Sequence, residues 1–108
     1  MTNQKMEKDK YKTDVIFRKY RAKYNFNKTT IIALFPYEIF NQRGHINCYE
    51  FCGQHGEVDY HHVVDTMTTL ATDKESRDLK THLESHFGYD LRVIKKRNHK
   101  KFIKLLNK

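Results

Sequence analysis

The chain opens with twelve polar and charged residues that show no apolar period, MTNQKMEKDKYK, and these read as a mobile basic leader over residues 1–12. At Thr13 the pattern changes. TDVIFRKY brings together β-branched and aromatic residues and predicts a first strand. RAKYNFNK follows as a loop with two asparagines. TTIIALFPY is then a nearly unbroken apolar run, the signature of a buried central strand. Pro36 lacks a backbone N–H for a sheet ladder, so the strand is expected to end near it. NQRGH predicts a turn at Gly44, and INCYEF a third strand.

The second half changes period. Thr72 and Glu75 stand three apart, the spacing of a capping box, and Leu79, Leu83 and Phe87 then recur every fourth residue on one helical face. Asp73 and Arg77 form a favourable i,i+4 pair, and Gly88 provides the stop. YDLRVI returns to a strand. RNHKKFIKLLNK predicts a short helix with Phe102, Ile103, Leu105 and Leu106 on one side and Lys100, Lys101, Lys104 and Lys108 on the other. The expected fold class is α+β: a mostly antiparallel sheet in β-β-β-α-β order, packed on one capped helix, with a short basic C-terminal helix. Residues 13–97 make a single α+β domain, and residues 98–108 are the basic amphipathic helix.

Charge sharpens this picture. Residues 1–28 hold nine Lys and Arg against three acids, residues 29–91 hold four against ten, and residues 92–108 hold eight and no acid. An acidic body with cationic ends suits terminal patches that reach a polyanion. Residues Arg18, Lys19, Arg21, Lys23, Lys95, Lys96, Arg97, Lys100, Lys101 and Lys104 are the candidate phosphate contacts, with Lys5, Lys8, Lys10 and Lys12 in the leader. Tyr24, with Tyr20 and Phe26, is placed to stack on unpaired bases. The same charges also serve solubility and protect sheet edges. Nothing in the chain resembles a recognition helix or an RNP aromatic motif, so sequence-tolerant binding is expected.

The stretch HINCYEFCGQHGEVDYHH gathers both cysteines and four histidines. Zinc is not expected there: along a regular strand Cys48 and Cys52 fall about 13 Å apart, too far to share an ion. Cys48 reads as a small buried hydrophobe. A thiolate–imidazole pair of Cys48 or Cys52 with His55 or His61 lacks a flanking signature, and the carboxylates Glu57, Asp59 and Asp65 match no metal-nuclease motif. The stretch therefore reads as a polar turn, or an interaction site, built on Gln54, His55, Asp59 and Tyr60. No catalytic residue, metal or cofactor is expected.

Val15-Ile16-Phe17-Arg18-Lys19, Ile32-Ala33-Leu34-Phe35-Pro36, Gly53-Gln54-His55 with Asp59-Tyr60, and Tyr89-Asp90-Leu91-Arg92-Val93 together resemble a group of small proteins carried by bacterial mobile elements and phages, over residues 14–97. No activity is assigned to that group. The resemblance implies an accessory protein working in the cytoplasm of a bacterial host cell. It also implies that the position of Cys52 is often filled by a non-ligand residue, while the Gly-Gln-His and Asp-Tyr elements are kept. The expected function is non-enzymatic nucleic-acid binding through the basic termini. The alternative is a protein–protein module, an inhibitor or regulator of a host enzyme, that uses the acidic middle (Glu50, Glu57, Asp59, Asp65) or a sheet edge. The absence of any apolar run near 20 residues and of a signal-like leader points away from a membrane, and the C-terminal helix is expected to dock on the domain's own core.

Overall fold

A computed structural model describes residues 12–24, 30–50 and 54–108. Among these residues six strands form one sheet: β1 Thr13–Tyr20, β2 Ile31–Ile39, β3 Ile46–Glu50, β4 Gln54–Val58, β5 Thr68–Leu70 and β6 Leu91–Val93. The order is β4-β3-β2-β1-β5, with β6 pairing parallel to β1 and every other pair antiparallel. Three α-helical segments cover the sheet: α1 Tyr60–His62, which continues into a π-helical turn Val63–Met67, then α2 Asp73–Phe87 and α3 His99–Leu106. The α+β class is as expected. The leader before Lys12 and the loop residues 25–29, Phe26 among them, lie outside the described residues.

β2 is apolar from Ile31 to Pro36, where both of its faces are covered. Ile31, Ala33 and Phe35 join Val15, Phe17, Tyr49 and Leu91 under Leu79 and Leu83 of α2. Ile32 and Leu34 point the other way, into a cluster with Ile16, Ile46, Cys48, Tyr60, Val63 and Phe102. Side chains alternate across a strand, so a strand buried on both sides shows no polar alternation. Cys48 is buried there as a small hydrophobe.

The capping box is present: Thr72 Oγ1 accepts from Glu75 N–H at 3.1 Å, and Glu75 Oε1 accepts from Thr72 N–H at 3.0 Å. Gly88 ends α2 with φ 71°. Phe87, placed on the buried stripe by its spacing, is instead 49% exposed. It falls at the last residue of the helix, where one side of its ring meets Tyr49 and His55 edge-on and the rest faces solvent.

Two expectations are corrected. β2 does not end at Pro36 but runs to Ile39, and its register with β3 slips between Phe35 and Ile39. A bulge leaves Pro36 where no ladder donor is required. QHGEV is not a polar turn but the strand β4, which pairs residue for residue with β3 from Val58↔Ile46 to Gln54↔Glu50.

Candidate nucleic-acid interface

The cationic residues divide into groups with different fates. Arg18 Nε donates to Thr68 Oγ1 at 2.9 Å, and its Nη2 donates to the carbonyls of Val64 and Thr68. Burial pushes its guanidinium pKa down. Arg18 is thus a brace between β1 and the π-helical turn. Lys19 pairs with Glu75 at 2.7 Å, tying β1 to the start of α2. Beyond the strand, Arg21 is exposed, and Lys23 lies 5.6 Å from the ring of Tyr24 within a short 3-10 turn, Ala22–Tyr24.

The C-terminal group lies at the other end of β1. Ile94 N–H donates to Val15 O at 2.9 Å, and about 20 Å of strand separates Val15 from Arg21. The chain then turns through the exposed Lys95 and Lys96 into α3. Asn98 caps this helix, its Oδ1 accepting from Lys101 N–H at 3.1 Å. Phe102 is buried against the sheet, with Ile103 and Leu106 packed beside it, so the helix docks on the domain's own core. Its outer side carries the charge. Asn98, Lys100, Lys101, Lys104, Leu105 and Lys108 line one groove of about 430 Å³.

That groove is electrostatically unfavourable by itself. Lys100 and Lys104 stand at i,i+4 on the helix, where like charges repel, and Lys108 follows just beyond its end. Lys100 and Lys101 occupy the first turn, which holds no acid, against the positive end of the helix dipole. Lys101 is partly compensated: its Nζ lies 3.5 Å from Asp14 Oδ2 and 4.2 Å from the centroid of Tyr37. Asp14 is shared with Arg92, which donates from Nε.

Arg97 departs from the surface patch in which its neighbours stand. It is 8% exposed, with its guanidinium carbon 4.0 Å from the ring centroid of Tyr60 and 3.5 Å from that of Phe102. Burial lowers its pKa, against smaller opposing effects of Tyr60, Tyr37 and Asp59. The sequence pattern placed it with Lys95 and Lys96 because nothing local announces partners that lie 37 residues upstream or one helical turn downstream.

The group Gln54, His55, Asp59 and Tyr60 is divided between the two faces of the sheet. Gln54 opens β4. His55, exposed on that strand, faces α2: its Nε2 lies 3.1 Å from Tyr89 Oη, and its ring meets Tyr49 and Phe87 edge-on. Asp59 caps α1, accepting from the N–H groups of His61 and His62. Tyr60 is buried on the opposite face. Around His55 a cluster assembles that no local spacing betrays, because its members are scattered over the chain. Tyr49 Oη lies 2.9 Å from His82 Nε2, and His82 lies 4.3 Å from His86 between ring centroids. The acidic residues of the middle are also engaged: Tyr20 Oη donates to Glu50, Asn41 Nδ2 donates to Glu57, and Asp65 lies 3.7 Å from His61. Cys52 lies outside the described residues, and among those described no three His, Cys, Asp or Glu side chains converge on an ion position.

Comparison with models of known families, with curated proteins and with solved structures returns no match. The site is therefore read from its own chemistry. No helix among the described residues is long and apolar enough to cross a membrane.

Proposed function

We propose that this protein is a non-enzymatic accessory factor that binds nucleic acid without strong sequence preference, through Lys95, Lys96 and the outer side of α3. The observation that carries the reading is the α3 groove itself. Four lysines and a helix N-cap line one concavity, in an arrangement that costs the free protein stability and that a row of phosphates offsets. The resemblance to proteins of phages and mobile elements supports a bacterial setting. Arg18 and Lys19 are occupied as braces, so the N-terminal contribution reduces to Lys12, Arg21, Lys23 and Tyr24 among the described residues.

Fluorescence anisotropy with labelled single-stranded and duplex oligonucleotides tests the reading. With four phosphate contacts, affinity falls about a hundredfold between 50 and 200 mM salt. The double reversal Lys100→Glu with Lys104→Glu weakens binding at least tenfold, and Arg21→Glu with Lys23→Glu changes it far less. Unchanged affinity in the first variant rejects the interface.

A second reading, a protein-binding module, is favoured by one feature. β4 is the outermost strand on its side of the sheet, and the exposed rings of Phe87 and His55 lie next to each other beside it. An extended peptide adds to such an edge through backbone hydrogen bonds. A stoichiometric protein complex that survives nuclease and high salt in gel filtration supports this reading over the first.

A further inference from the structure

The guanidinium of Arg97 is buried without a counter-ion. Among the described residues it makes no ion pair and donates no side-chain hydrogen bond, and its Nη1 is sealed from solvent with no acceptor. Tyr60 and Phe102 take its π-faces. What they leave unused outside the sealed Nη1 is the Nε–Nη2 edge, whose N–H groups match the two oxygens of a phosphate or carboxylate. A buried cation in this condition is unfavourable unless something anionic reaches it. Asp59, whose charge acts on it, is already accepting the N–H groups of His61 and His62.

The backbone around Arg97 is held firmly. Its own N–H donates to Tyr60 Oη at 3.0 Å, and the next N–H, of Asn98, donates to Tyr37 Oη at 2.8 Å. Two tyrosines therefore fix the segment that leads into α3, and the helix cap follows at once. A receptor assembled before its ligand arrives loses little freedom on binding. Lys95, Lys96, Lys100 and Lys104, by contrast, are long and exposed.

We propose that Arg97 is the fixed oxyanion receptor of this surface, gripping one phosphodiester of the bound nucleic acid with the Nε–Nη2 edge of its guanidinium, while Lys95, Lys96, Lys100 and Lys104 supply diffuse attraction around it. The assignment of the anion to a nucleic-acid phosphate rests on the function proposed above. The receptor chemistry does not.

Two measurements on the full chain separate these claims. The first is a titration of the ¹⁵N-labelled protein with inorganic phosphate at constant ionic strength, against a chloride control, following the Arg97 Nε–H resonance. A saturable shift with phosphate and none with chloride is expected. A resonance indifferent to phosphate overturns the receptor, and this holds whether or not any variant folds. The second is oligonucleotide binding by Arg97→Lys and Arg97→Met, checked for folding by their thermal transitions. Either variant is expected to bind about tenfold more weakly, with the slope of log affinity against log salt reduced by about one. If Lys100→Glu with Lys104→Glu weakens binding while both Arg97 variants bind like the parent, the interface stands and the receptor falls. If none of these variants matters, both fall.

Discussion

Arg18 and Thr68 are joined twice: Nε of the arginine donates to the threonine hydroxyl oxygen at 2.9 Å, and Nη2 donates to the threonine carbonyl at 3.0 Å. The hydroxyl in turn donates to Val63 O at 2.7 Å, and the whole residue is buried. One side chain thus holds both the π-helical turn and β5 against β1. Thr68→Val keeps the shape and removes both side-chain bonds, leaving a half-buried guanidinium N–H without its acceptor. The expected loss is about 2–3 kcal/mol in urea denaturation. A loss under about 0.5 kcal/mol, the size typical of inconsequential surface changes, contradicts the brace.

Glu75 links charge to pH. Its carboxyl is held down to about 2, first by the Lys19 ammonium and then by the Thr72 backbone N–H. Its folded pKa lies below the unfolded carboxylate value of about 4.3. The stabilisation is therefore complete above that value and is lost as pH falls toward about 2. Glu75→Gln preserves the reach of the capping side chain and removes the charge. The urea midpoint of this variant is expected to lie below the parent's at pH 6, with the gap closing between pH 4.5 and 2.5. A gap that stays constant with pH assigns the effect to something other than this carboxylate.

Gly44 and Gly88 both adopt positive φ, 81° and 71°, but only one is also crowded. A Cβ at Gly44 would stand 3.0 Å from Phe102 Cζ, whereas nothing lies within 4 Å of the same atom at Gly88. Gly88→Ala is expected to cost about 1 kcal/mol, the backbone strain alone. Gly44→Ala should cost at least about 1 kcal/mol more, because Phe102 is buried and held against Arg97. Equal costs in paired thermal unfolding would show that the ring gives way freely.

Deleting residues 95–108 is not a clean test of nucleic-acid binding. The deletion uncovers Ile16, Ile32, Leu34 and Ile46, which Phe102 helps to bury. The truncated chain is expected to lose its cooperative thermal transition and to bind the dye ANS. A soluble, cooperatively melting truncation would show that α3 is dispensable to the core. Charge reversal on the outer side of α3 leaves the buried side intact and is the more informative experiment.

What could be read from the chain alone follows the range of the forces involved. The Thr72–Glu75 box and the Gly88 stop are contacts between near neighbours, so the sequence carries them openly. β2 was legible from its apolar run, although not that a bulge would carry it past Pro36. β4 was not: QHGEV has a glycine in the middle and no alternation, and it is a strand because β3 offers a ladder. The cationic list was readable as charge but not as role. Arg18 and Arg97 are distinguished from Lys96 or Lys100 by partners distant in the chain, and no local spacing encodes those. His55 and Tyr60 stand five residues apart yet face opposite sides of the sheet for the same reason.

β1 is an early part of the chain, but its outer flank is paired by β5 and β6, which lie 48 or more residues further on. During synthesis, then, the hairpin of β1 and β2 exists for some time with one raw border of unpaired amides and carbonyls, until Leu91–Val93 leaves the ribosome. A nascent chain stalled before that point would keep this border open, and one stalled after it would have the border paired while Ile32 and Leu34 still await Phe102. Closure of that border of β1 thus waits on three late residues and not on the apolar strand at the sheet's centre.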